Sequence, residues 1–142
     1  MDPNNPIVKL CSEGMRAEFE GRHDDARALF TQAWESSTDD YEACVAAHFL
    51  ARQQESPGDM LNWNQEALNR ANAVGDESVL AFYPSLYLNI GYSHEILGNQ
   101  AEAIRYYDLA ADRLDDLPAG SYGDTVRNGI NQARKRTGAM EE

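Results

Sequence analysis

Two stretches of this chain carry matching residues at matching spacing. Gly14, Gly21, Ala26, Phe30 and Ala33 recur 77 residues later as Gly91, Gly98, Ala103, Tyr107 and Ala110. Such self-similarity constrains a fold more than composition does, because each copy is one supersecondary unit that buries its apolar face only by stacking on a neighbour. Around the second set, Tyr87, Ile90, Gly91 and His94 fall at i, i+3, i+4 and i+7. Ala103, Tyr106, Tyr107 and Ala110 repeat that pattern, so each run predicts an amphipathic helix. Gly98 and Asn99 separate the runs as a turn, and Asn99 with Glu102 has the N-cap and N3 spacing that opens a helix. Each copy therefore predicts a helix hairpin. Gly91 and Ala103 let its two backbones approach while Tyr107 fills the space beyond, as Gly14, Ala26 and Phe30 do in the first copy.

This ordered set of small residue, turn glycine, alanine, aromatic and alanine resembles the tetratricopeptide repeat (TPR). Copies fall at about residues 7–40, 41–83 and 84–117, with a further helix at about 120–137 and a short disordered tail at 138–142. The resemblance implies an all-α fold: a right-handed α-solenoid of about three hairpins plus a C-terminal capping helix, about seven helices in a single domain over 1–142. The chain is similar to small stand-alone bacterial members of the family. The middle copy departs from the pattern. Its LNWNQEALNRA run places Trp63 and Ala67 where Tyr106 and Ala110 stand, and Ser56-Pro57 supplies N-cap and N1 chemistry. Strict register, however, puts His48 at the small position and Met60 at the alanine position, whereas a one-residue shift brings Ala47 there. In the longer connection that follows, Gly75 is placed to end one helix, Asp76 to cap the next, and Pro84 to kink or restart it. Tyr122, Val126, Ile130 and Ala133 lie at helical spacing in the capping segment, with basic residues at its end where the helix dipole favours them.

A chain of 142 residues buries roughly 70% of its unfolded surface, enough for a core without staples. Its net charge of -12, with Lys9 and Lys135 the only lysines, disfavours nucleic acid and anionic lipid as partners. No apolar run approaches the length of a membrane span, and MDPNNPIVKL lacks the features of a secretory leader. Two cysteines fit a reducing compartment, so a cytoplasmic protein is expected.

In the tetratricopeptide family the first helix of each copy lines a concave groove. The resemblance places Met15, Phe19, Phe49, Leu88, Tyr92 and Ile96 there, together with Arg52. An apolar patch of that size marks a contact surface. The expected partner is a protein or peptide, basic or amphipathic, laid in the groove. The alternative is a homodimeric scaffold that uses the same face for self-association. A third reading places a small molecule in a closed pocket around Tyr92 and Trp63. A clamp for a peptide's terminal carboxylate is disfavoured, because Cys11, Met15, Val45 and Ser85 stand where cationic donors would be needed, and only Arg52 and Asn89 offer any.

Catalysis, cofactors and metals are not expected. Cys11 and Cys44 lie one repeat apart and read as buried apolar residues. His23, His48 and His94 are dispersed, and His94 reads as a packing residue. The pairs Asp24-Asp25, Asp39-Asp40 and Asp115-Asp116 sit at helix starts and turns, and Gly58, Gly75 and Gly98 are isolated, so no calcium or phosphate loop is spelled out.

Overall fold

Local chemistry sets most of the helix boundaries in the computed structural model, which describes residues 2–138. Residues 139–142 of the expected tail lie outside the described residues. Helix α1 (Pro6–Phe19) opens on proline, and Asn5 Oδ1 accepts from the Ile7 N–H at 2.8 Å. Helix α2 (His23–Ser36) follows a turn at Gly21, whose φ is 81°. Asp39 caps α3 (Asp40–Arg52) by accepting from the Glu42 N–H at 2.8 Å. Ser56 caps α4 (Pro57–Val74), accepting from the Asp59 N–H at 3.2 Å, and Gly75 ends it. Asp76 then caps a 3-10 turn (Glu77–Phe82) that feeds α5 (Tyr83–Ile96), where Pro84 sits in the first turn.

The turn before α6 (Gln100–Ala111) matches the first hairpin, with Gly98 at φ 85°. The expected capping box does not form. The Asn99 backbone, at φ -89° and ψ 72°, is not in the extended conformation that aims a capping side chain at the helix. Its amide instead lies 3.3 Å from His94 Nδ1, and Glu102 pairs with Arg105 at 2.8 Å. Helix α7 (Ser121–Thr137) completes an all-helical chain, with seven α-helices and no strand among the described residues. No helix among them is long and apolar enough to cross a membrane.

Consecutive helices pair as α1 with α2, α3 with α4, and α5 with α6. Helix α3 also lies on α1 and α2, α5 lies on α4, and α7 packs on α6 and α5. The repeated glycines explain the outer hairpins. A Cβ on Gly14 would sit 2.4 Å from Phe30 Cε1, and one on Gly91 would sit 2.6 Å from Tyr107 Cε1. Both rings are fully buried in the space those glycines leave. In the middle hairpin Ala47 is buried with Ala67, Leu68 and Ala71 of α4. Small side chains thus let α3 and α4 approach closely. Hairpins one and two are joined by rings: Phe30 stacks on Phe49 at 5.2 Å, and Trp34 meets Trp63 edge-on at 5.1 Å. His94 stacks on Tyr106 at 5.6 Å and does serve as a packing residue.

Glu42, only 9% exposed, ties the first hairpin to the second. Its Oε1 accepts from the Thr38 N–H at 2.9 Å and the Thr38 hydroxyl at 3.0 Å, and its Oε2 accepts from Asn5 Nδ2 at 2.8 Å. The Thr38 backbone N–H is the main influence holding this carboxyl below its ordinary value of 4.5, against the opposing effect of burial. A depressed folded value means that the stabilisation is complete above 4.5 and is lost as pH falls through the folded value. Glu42→Gln is expected to cost about 1 to 3 kcal/mol at neutral pH. In urea unfolding that deficit should shrink at acid pH, where the wild-type carboxyl is itself protonated. A deficit unchanged across pH would contradict a charge-assisted network.

Candidate functional site

Helix α5 packs on α4, and its contact with α3 is slight. A cleft of about 400 Å³ opens on the side of the hairpins' first helices. Its buried wall is apolar, from Val45 and Phe49 of α3 and Leu86 of α5, with Met15 of α1 beside them. Ala81 and Phe82 contribute from the 3-10 turn, and exposed Pro118 and Tyr122, at the entry to α7, form part of the rim. The Tyr122 and Ser85 hydroxyls are hydrogen-bonded at 2.5 Å, which fixes the start of α7 against α5.

The polar groups of the cleft are few. Arg52 is ion-paired with Glu18, which also accepts from Gln53 Nε2 at 2.5 Å, and its guanidinium lies 5.7 Å from the Phe49 ring centroid. His48 lies edge-on to Phe49 at 5.2 Å, and its Nδ1 is buried with no hydrogen-bond partner among the described residues. Burial, reinforced by the nearby Arg52 charge, lowers the imidazole to about 4, so it is neutral at neutral pH. The cleft is thus an apolar chamber with one uncharged, unsatisfied imidazole on its wall and one compensated cation at its edge.

The residues expected to form a continuous groove fall into three groups. Met15, Phe49 and Arg52 line the cleft. Phe49 is only 5% exposed and belongs to the core, because Phe30 stacks on it. Leu88 is half-buried under α7, where a Cβ on Gly129 would lie 3.2 Å from Leu88 Cδ2. Phe19 is 93% exposed, and Tyr92 and Ile96 are each 47% exposed. The closing helix covers Leu88. It meets α5 at Ser85 through Tyr122, at Leu88 through Gly129, and at Glu95 through Arg136, whose two bonds are 2.7 and 2.9 Å.

Trp63 packs on Trp34, and neither Trp63 nor Tyr92 lines the cleft, so the pocket expected around those two aromatics is not the one that forms. Cys11 and Cys44 are buried in separate core clusters, and burial pushes each thiol up to about 12, which keeps it protonated. In the acidic pairs, Asp39 caps α3, Asp40 bonds Arg70 at 3.0 Å, and Asp25 bonds Arg22 at 3.1 Å. Periodicity does not mark His48, Ala81, Leu86, Pro118 or Tyr122 as site residues. Only His48 carried a signal, as an imidazole where the outer copies have glycine. No protein-family model matches the chain, and no curated protein is significantly similar to it.

Proposed function

We propose that this protein is a protein-interaction module of the tetratricopeptide type, a short right-handed array whose concave face receives a peptide or an amphipathic helix. The observation that carries this reading is the set of large apolar side chains left exposed on the first helices of the two outer hairpins. Phe19 stands one helical turn beyond Met15 on α1, and Tyr92 and Ile96 continue the Ser85 face of α5. Exposed apolar side chains of this size, on a molecule of net charge -12, suit a basic amphipathic segment. Two free cysteines support a reducing, cytoplasmic setting. Because Phe49 is core, the test uses exposed positions. Wild-type protein should retain a partner in affinity capture from lysate, while Tyr92→Glu and Ile96→Glu lose it with unchanged helicity. Capture that survives both changes would sink the reading.

The 93% exposure of Phe19 favours a second reading, in which the same exposed side chains join two copies. Sedimentation over a wide concentration range separates the two. A dimer that Phe19→Glu or Ile96→Glu converts to monomer would replace the peptide reading, and a persistent monomer would remove the dimer.

A further inference from the structure

We propose that the cleft between α3, α5 and the start of α7 is a binding site for an uncharged, largely apolar small molecule carrying one hydrogen-bonding group. At about 400 Å³ its volume falls within the range of small-molecule pockets, and an apolar lining with a few convergent polar groups is their usual chemistry. The charges around the cleft select against an ionic ligand. Arg52 is already paired with Glu18, no carboxylate side chain lines the cleft, and the molecule as a whole is strongly acidic. A cation finds no counter-charge inside, and an anion meets a repulsive field with the cleft's one cation already occupied. An uncharged ligand avoids both costs.

His48 supplies the point of polar recognition. A neutral imidazole offers one donor and one acceptor; here Nδ1 is enclosed, while Nε2 is not among the enclosed atoms and makes no hydrogen bond among the described residues, so it is the nitrogen this cleft-lining ring offers a ligand. A hydrogen bond to that nitrogen on an apolar wall is made where few other polar groups compete for it, so it orients a ligand that carries one matching group. Tyr122, tied to Ser85 at 2.5 Å, places its ring at the rim and limits the mouth. This site is distinct from the exposed side chains of Phe19, Tyr92 and Ile96, none of which lines the cleft.

The test is a fluorescence titration with N-phenylnaphthylamine, an uncharged aromatic amine, beside its sulfonated counterpart anilinonaphthalene sulfonate. Saturable one-site binding of the neutral probe is expected, with the sulfonate at least about tenfold weaker. Ala81→Trp should fill the cleft and abolish the signal. His48→Phe keeps the ring shape and should weaken binding about tenfold. Urea unfolding confirms that the variants fold, and Tyr122→Ala, at an exposed rim position, tests the same wall should Ala81→Trp not fold. Leu97→Glu, at an exposed apolar residue away from the cleft, should leave binding unchanged. The inference is overturned by the absence of saturable binding, by equal affinity for both probes, by full binding in folded Ala81→Trp or Tyr122→Ala, by an unaffected His48→Phe, or by loss of binding in Leu97→Glu. No peptide enters the measurement, so its failure and that of the interaction reading are seen separately.

Discussion

Phe30→Ala is expected to lower the unfolding free energy by about 3 to 5 kcal/mol, the range for removing a fully buried aromatic ring. Phe30 has no exposed surface, stacks on Phe49 at 5.2 Å, and fills the space that Gly14 leaves on α1. On the side of α1 and α2 the cavity has little to fill it, because Gly14, Ala26 and Ala33 have little or no side chain to move into it. The fit between glycine and ring also predicts non-additivity. In the wild type, Gly14→Ala places a Cβ 2.4 Å from Phe30 Cε1 and should cost about 1 to 3 kcal/mol by overpacking. With the ring gone, that methyl enters the hole, and the helix gains about 1 kcal/mol of intrinsic propensity. Urea unfolding of the two single variants and the double should show a double cost clearly below the sum. Additive costs, or a Phe30→Ala cost near the roughly 1 kcal/mol typical of any substitution, would show that the pair does not act as a wedge and slot.

How much of this was legible in the sequence depends on whether a feature is periodic. The glycine-aromatic pairs are, and they led to both outer hairpins, just as Ser56-Pro57, Gly75 and Asp76 led to the ends of the elements they bound. Asn99 has the right residue type and spacing for a cap, but the backbone conformation after a positive-φ glycine decided against it. The course of α7 across α5 was not legible, because it rests on contacts such as Arg136 to Glu95, 41 residues apart, which no repeat pattern encodes. The cleft follows from the same class of cause. It lies where α5 packs on α4 and only slightly on α3, with Ala81 and Phe82 of the 3-10 turn in its lining, a matter of tertiary placement rather than of any residue's character. Phe49 was expected at a groove position and does line the cleft, yet Phe30 holds one face of its ring, so the same side chain belongs to both core and site.

Tyr107 repeats the wedge of Phe30 with one added function. Its ring is fully buried against Gly91, and its hydroxyl donates to Glu95 Oε1 at 2.6 Å, so a core aromatic reaches the carboxylate that Arg136 of α7 also binds. Burial raises the phenol above its ordinary value, with the bond to Glu95 adding to the effect, so it stays a donor at neutral pH. Arg136 is the main influence lowering Glu95, so the carboxylate stays charged. Tyr107→Ala should therefore cost about 3 to 5 kcal/mol for the ring, at the upper end of that range because a hydrogen bond is lost with it. Tyr107→Phe isolates the hydroxyl and should cost about 1 kcal/mol, since Arg136 still holds Glu95. The Arg136 side chain is 47% exposed, so solvent screening limits Arg136→Ala to below about 1 kcal/mol. The double variant Tyr107→Phe with Arg136→Ala should exceed the sum of the two, because Glu95 then loses both donors while it is 20% exposed. Amide hydrogen exchange reads the same coupling at the level of the fold. The α7 amides should lose protection in the double variant while those of α1 and α2 do not, because Glu95 is the polar tie between α7 and the end of α5. Additive energies, or loss of protection spread evenly over all seven helices, would mean that Glu95 does not couple α7 to the end of α5.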